Sequence, residues 1–376
     1  MPTTEKEFFR AKRPWSRIKD RTLGSYSVPY FTKVSKLGQW IVVVDAFAGP
    51  GVFEDGSKGS PVILCDAAEQ RVPQQYRAIF GNRDVGHHTR LKTELAPLIE
   101  AKKVQAIHGR ADDLLGQLDA SMAKLGQATL LVYLDPFGLK GCEFEALKPF
   151  LGRDQTASTE IIMNVSVPTI YRLSGRKALS EGRSSPQISK LQDLLSRVLG
   201  GDYWRDFMLA AEPNVDGVMR IYRQQLASYL PWVGACPVQE DEFSGVKYYM
   251  TFCSGHSDAM VLMNDIMFDA YHGYMKEAWA EAFPLLAELD WPPRPVAELE
   301  KIVLDIVAAR GKIGRSPLWL EIVREHFMRF HSREFRQVVQ RLVRDNPPRL
   351  AFHDVKGTGK LNDLSVLYPI EASILH

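Results

Sequence analysis

Residues 40–51 read WIVVVDAFAGPG, a continuous apolar run that ends in an acid and leads straight into glycines. The run is too short for a buried helix and is rich in β-branched residues, so it predicts a strand covered on both faces. The glycines predict a turn in which the backbone can approach a ligand closely. Further strand-like segments stand at 78–81, 104–108, 129–134 and 160–165, and helical spacing fills 61–71, 86–102 and 112–125 between them. Ser60 before Pro61 fits a helix start, with Ser as the cap and Pro at the first helical position. Strands alternating with helices specify a parallel sheet with right-handed crossovers. Two further strand patterns, 233–238 and 247–254, bring the number to seven. The expected fold class is α/β, with a mostly parallel, doubly wound, Rossmann-like sheet.

Residues 166–230 interrupt the alternation with helical, partly polar sequence that includes the loop-like SEGRSSPQ at 180–187. They read as a helical insertion near the carboxyl edge of the sheet, where substrates bind in such folds. A Pro-rich hinge, DWPPRPV at 290–296, then closes a first domain spanning 37–290. Three helical patterns follow, at 296–310, 316–328 and 332–345, and then two strand-like segments around a Lys/Gly turn within 349–370. Three helices and a hairpin form the order of a winged helix, expected over 295–376. Arg333 and Arg336 on its third helix and Lys356 and Lys360 in the turn are its candidate nucleic-acid contacts; a structural or protein-docking role is the alternative.

The chain has 376 residues, 47 Lys and Arg against 45 Asp and Glu, and 45% hydrophobic residues. That composition excludes a disordered chain, a collagen-like repeat and a disulfide scaffold. No apolar run approaches the roughly 20 residues of a membrane span. The opening MPTTEKEFFRAKRPW lacks the apolar core of a secretory signal, so a cytoplasmic location is expected. Cys65, Cys142, Cys236 and Cys253 stand at long, unrelated spacings, which predicts buried reduced thiols and no metal site. His87 and His88 are expected as a surface pair.

A formal charge of +2 argues against a polyanionic partner, but it is a sum of unlike parts. Residues 1–36, a basic N-terminal helical lead, hold nine Lys and Arg and three acids; residues 37–294 hold 25 and 32; residues 295–376 hold 13 and ten. Two basic ends around an acidic middle allow an anionic partner, and the acidic middle would suit a cationic cofactor.

Two motifs carry chemistry. The first, D-A-F-A-G-P-G at 45–51, is neither G-x-G-x-x-G nor a P-loop, since no G-K-[ST] follows. It resembles motif I of S-adenosylmethionine-dependent methyltransferases, whose glycine loop wraps the methionine part of the cofactor. The second is D-P-F-G at 135–138, directly after the fourth predicted strand. It stands where enzymes that methylate exocyclic amines carry [DN]-P-P-[FY], and it resembles the form found in tRNA guanine-amino methyltransferases. An amine nucleophile must aim its lone pair at the sulfonium methyl. Asp135 and the Pro136 carbonyl can accept its two hydrogens and Phe137 can stack on the base, with Gly138 closing the turn.

By the same resemblance, Lys19, Asp45, Phe47, Gly49, Gly51, Asn82, Asp84, Ala111 and Asp112 are the candidate cofactor-binding residues. Lys19 would take the cofactor carboxylate, and Asp112 the adenine amine. Asn82 stands where an acid ordinarily accepts the ribose hydroxyls, with Asp84 two residues on; an Asn there forgoes a charge-assisted bond. Trp15-Ser16, Lys19, Leu23 and Tyr26, followed by the two motifs, Gly59-Ser-Pro61 and the Tyr248–Phe252 strand, resemble the three-Cys-motif partner proteins (TcmP) over roughly 15–280. That resemblance implies a bacterial, methyltransferase-like chain of class I fold and a partner protein carrying a three-cysteine motif. The expected function is methyl transfer from S-adenosylmethionine to an amino group of a nucleic-acid base, DNA or RNA. Two readings stay open beside it: an inactive adaptor joining nucleic acid to a second protein, and a methyltransferase for protein or small molecules.

Overall fold

A computed structural model describes residues 16–125, 127–153, 158–182, 185–241, 243–286, 288 and 294–370. The first 15 residues of the basic lead, Trp15 among them, and residues 290–293 of the hinge lie outside the described residues. The chain divides into two compact units, 1–259 and 260–376.

The first unit is built on a seven-stranded sheet: β1 (Ile41–Asp45), β2 (Tyr76–Asn82), β3 (Val104–His108), β4 (Thr129–Leu134), β5 (Thr159–Ser166), β6 (Trp232–Val238) and β7 (Tyr248–Ser254). Its order is β3-β2-β1-β4-β5-β7-β6. Strands β1 to β5 run parallel, and β7 lies antiparallel between β5 and β6. Every residue of β1 and β4 is buried, as sequences covered by helices on both faces require. The order reverses between β1 and β4, so the loops that leave their carboxyl ends diverge and open a crevice. Both chemical motifs sit on those two loops.

The helices of this unit are α1 (Ser16–Val34), α2 (Ser60–Arg71), α3 (Val85–Glu94), α4 (Ala96–Glu100), α5 (Ala111–Leu125), α6 (Phe144–Leu151), α7 (Val167–Ser174), α8 (Arg176–Ser180), α9 (Pro186–Leu199), α10 (Trp204–Met208) and α11 (Val215–Ala227). One helix was expected over 86–102. Pro97 brings no N–H and restricts the residue before it, and the chain breaks at Leu95 into α3 and α4. Ser60 is a second departure. The cap of α2 is Gly59, and the Ser60 hydroxyl points elsewhere.

The segment 166–230 is more than an edge insertion. Ile170, Leu173, Leu195, Val198, Trp204, Met208, Val218 and Tyr222 from α7 to α11 are buried in one cluster with Val42, Val44, Leu130, Val132 and Ile161 of the sheet. These helices therefore supply a covering layer of the core, and α7 also reaches the carboxyl edge of the sheet.

The second unit takes most of a long helix that the sequence patterns did not bring out, α12 (Ser257–Ala282). Its Asn264 side chain donates to the Phe330 carbonyl and accepts from the Met328 N–H. Asp265 accepts from the Ser332 backbone. Those bonds tie α12 to the later helices and set the division between units earlier than the Pro-rich hinge. Helices α13 (Val296–Arg310), α14 (Arg315–Glu325) and α15 (Ser332–Arg344) accompany an antiparallel sheet of order β8-β10-β9, from β8 (Ile313–Gly314), β9 (Leu350–His353) and β10 (Val366–Pro369). The short β8 adds a strand to the expected pair. A capping box between His331 and Glu334 starts α15, whose Phe335, Val338, Val339 and Leu342 are buried.

Candidate cofactor and substrate cleft

A cleft of about 530 Å³ opens at the carboxyl ends of β1 and β4, well inside the size range of small-molecule sites. Its floor is the glycine loop. Gly51 takes a positive φ of 86°, and the Gly59 N–H donates to its carbonyl at 2.7 Å. A Cβ at Gly59 would stand 3.0 Å from that same oxygen, so the two strands of the loop close only without a side chain there. Phe47, Gly49 and Gly51 all line the cleft.

Asp45 does not line it. Its Oδ1 accepts the Phe47 N–H at 2.9 Å and its Oδ2 accepts the Ser60 hydroxyl at 2.6 Å. The side chain is fully buried behind the loop, and burial pushes its carboxyl up to about 7. Asp45 thus positions the loop and the start of α2 instead of meeting a ligand, which corrects its assignment as a binding residue. Ser60, read as a cap, is its partner.

Asn82 has a similar duty. Its amide donates to the Ala48 carbonyl and, at 3.2 Å, to that of Gly49, while its Oδ1 accepts the Asp84 N–H at 3.0 Å. The residue lines the cleft, but its donors and its oxygen are committed to the loop and the β2 end. Asp84 lies outside the cleft lining and caps α3 by accepting the His87 N–H at 2.8 Å. It is a helix cap, and its assignment to the cofactor is withdrawn. His87 lines the cleft and His88 is half-buried against His108, so the two histidines are not a plain surface pair.

At the β3 end, Ala111 and Asp112 open α5 and line the cleft. Both Asp112 oxygens receive the Arg110 guanidinium, at 2.9 and 2.5 Å, which holds the carboxyl below its usual range. A Cβ at Gly109, also in the lining, would meet nothing within 4 Å, so this end is roomy. Phe47 and Ala111 converge on Gly141, where a Cβ would stand 3.3 Å from the ring and 3.2 Å from the Ala111 methyl.

The other wall is the D-P-F-G turn. Asp135 Oδ2 accepts from Lys19 Nζ at 2.5 Å and Oδ1 from Asn164 Nδ2 at 3.0 Å. Lys19 reaches across from α1, with its ammonium 5.3 Å from the Tyr248 ring centre. The resemblance had assigned Lys19 to the cofactor; in the structure its partner is the motif carboxylate. Pro136, Phe137 and Gly138 all line the cleft; Gly138 has a φ of 105° and Phe137 is 63% exposed. A large aromatic therefore stands exposed on a wall of the cleft.

Asn164 and Tyr248 were not read as site residues from the sequence. The end of β5 brings Asn164 beside β4, and the start of β7 brings Tyr248. The lining carries six Lys and Arg (Lys19, Arg83, Arg110, Lys140, Arg172, Lys247) against Asp20, Asp112 and Asp135. The acidic balance of the central region does not extend into the cleft, whose charged lining is mostly basic. The four cysteines are free and buried.

In the second unit, Arg333 pairs with Asp269 at 3.2 Å. Arg341 pairs with Glu300. Arg336 has no ion pair among the described residues, and Lys356 and Lys360 are exposed in the turn between β9 and β10. Of the two candidate arginines, then, one is already neutralised by a carboxylate.

Strand order, glycine loop and crevice together define a Rossmann-like fold of the methyltransferase kind. No family model and no curated protein matches the chain. Among solved structures it is similar to an O-methyltransferase from Bacillus cereus in complex with SAH (13% identity, TM-score 0.31, 61% of this chain and 79% of that one). It is also similar to spermidine synthase from Thermotoga maritima (8% identity, TM-score 0.30, 62% and 56%). A third is geranyl diphosphate C-methyltransferase from Streptomyces coelicolor A3(2), in complex with Mg2+, geranyl diphosphate and S-adenosyl-L-homocysteine (11% identity, TM-score 0.25, 60% and 77%). Among the described residues no helix is long and apolar enough to cross a membrane.

Proposed function

We propose that the chain is an S-adenosylmethionine-dependent methyltransferase acting on an amino group of a nucleic-acid base. The observation that carries this reading is the meeting, across one cleft, of the Gly49–Gly51 loop and the Asp135-Pro-Phe-Gly138 turn. The loop offers close backbone approach for the methionine part of the cofactor, and Asp112, beside open space at Gly109, suits the adenine amine. The cofactor, when bound, supplies the electrophilic methyl. The chain's own work is orientation. Asn164 and Lys19 fix the Asp135 carboxylate, which accepts one hydrogen of the target amine while the Pro136 carbonyl accepts the other. Both contacts turn the nitrogen lone pair toward the methyl. Phe137, exposed, stacks on the base.

Isothermal titration with S-adenosylmethionine should give saturable binding. Methyl-labelled cofactor should then label cellular nucleic acid in a reaction that Asp135→Asn slows by about two orders of magnitude. A pure protein that binds no cofactor, with or without nucleic acid, sinks the proposal.

A second reading is an adaptor that binds nucleic acid and a partner protein without turnover. Asn82 favours it, because its amide holds the loop where an acid would hold the ribose. Nucleic-acid binding without cofactor binding would select it. For the second unit we propose a winged-helix role in which Arg336, Lys356 and Lys360 meet phosphates, and a cytoplasmic setting in which a protein with a three-cysteine motif is the partner.

A further inference from the structure

Three of the six cations in the cleft lining already have carboxylates: Lys19 holds Asp135, Arg110 holds Asp112 and Lys247 faces Glu240. Lys140 and Arg172 differ. Neither has a carboxylate within ion-pair distance among the described residues, and both flank the D-P-F-G turn. Lys140 follows Gly138 by two residues. Arg172, on the last turns of α7, brings its guanidinium to 3.8 Å from where a Gly138 side chain would begin. The wall that bears the exposed Phe137 therefore also bears two uncommitted cations.

That placement runs against the regional charge, since residues 37–294 hold seven more acids than bases. A solvated surface would scatter its cations among those acids. An exposed ring beside an arginine fork and a lysine is a pairing suited to a nucleotide unit: the ring for the base, the cations for its phosphate. A protein carboxylate would use the cations and leave the ring idle; a free base would use the ring alone.

We propose that Arg172 and Lys140 form a phosphate subsite that grips the phosphodiester next to the target base, so that the substrate is a nucleic-acid strand. The proposal rests on the amine-methyltransferase reading and names the substrate class for the same cleft. Arg172 supplies a bidentate fork and Lys140 a mobile point charge. Their joint effect is to set where along the strand the turn engages.

The test compares the full-length protein with the double variant Arg172→Gln/Lys140→Gln. The probes are fluorescein-labelled single strands of about 20 nucleotides, DNA and RNA, and a charge-neutral morpholino of the same sequence. At about 100 mM salt the variant should bind the charged strands about tenfold more weakly, and its log–log salt slope should flatten by about 1.4, the signature of two lost phosphate contacts. Morpholino binding and S-adenosylmethionine titration should match wild type. An unchanged slope overturns the subsite. So does a loss of cofactor affinity in the variant, which would assign the two cations to the cofactor carboxylate. If wild type transfers label to nucleic acid with the same KM as the variant, the subsite fails and the function stands. If the slope flattens but no label is transferred, the function fails and the subsite stands.

Discussion

Asn82 and Asp45 both hold the glycine loop, Asn82 by donating to the Ala48 and Gly49 carbonyls and Asp45 by accepting the Phe47 N–H, while their remaining oxygens take the Asp84 N–H and the Ser60 hydroxyl. Asn82→Asp would restore the acid familiar at this position. It would also set a carboxylate against the Ala48 and Gly49 carbonyls in place of a donor. We expect lower stability, by about 1–3 kcal/mol for lost bonds and buried repulsion, and weaker cofactor binding, both read by thermal melting and calorimetry. A tighter complex would show that Asn82 is free to reach the ribose after all. Phe137→Ala should behave in the opposite manner. The ring is exposed, so Tm should hold, while KM for nucleic acid rises by roughly tenfold or more as stacking worth about 1–3 kcal/mol is lost. A fall in Tm with unchanged KM would make Phe137 a structural residue.

At the scale of elements, the join between β1 and α2 is the sensitive point. Ser60→Ala would leave Asp45 Oδ2 buried without a donor, and Gly59→Ala would press a methyl toward the Gly51 carbonyl. Both substitutions should weaken S-adenosylmethionine binding while leaving strand β4 and the D-P-F-G turn in place; calorimetry beside circular dichroism checks this. The strands that carry the motifs were legible because β1 and β4 are buried at every position and are apolar but for Asp45 and Thr129, and a short run of that kind has few other uses. The D-P-F-G and glycine-loop residues were legible because each motif is local. Asn164 was not: it lies 29 residues from Asp135, and only the β4–β5 register makes them neighbours. Helical periodicity in 166–230 likewise announces an apolar face without saying that the face covers the sheet. Asp45 and Asp84 were misassigned for a related reason, since sequence shows a carboxylate but not which N–H groups will claim it.

For the molecule as a whole, pH should act through two buried carboxyls, Asp45 of the first motif and Glu160 on β5. Glu160, the second residue of β5, accepts the Tyr26 hydroxyl at 2.5 Å and is buried, and burial pushes its carboxyl up to about 7. Below about pH 4 the group is protonated folded or unfolded. Between there and 7 only the folded chain keeps the proton, so the contribution is lost as pH rises through the folded value. Glu160→Gln removes the ionisation and keeps an acceptor for Tyr26. The variant should therefore gain on wild type from pH 5 to 8 by on the order of 3 kcal/mol, several degrees in Tm. A difference that stays flat across that range would refute the assignment.

The position of β7 sets a timetable for the ribosome. Its residues, 248–254, leave the ribosome after those of β6, yet β7 must lie between β5 and β6. When β6 ends at Val238 it has no strand to join, and the β5 edge stands open beside it. At translation speeds of about 5–20 residues per second, the wait for β7 lasts roughly one to three seconds. During that interval a growing chain presents the β5 edge and the apolar β6 strand with unpaired backbone groups, the kind of edge on which neighbouring nascent chains and chaperones compete.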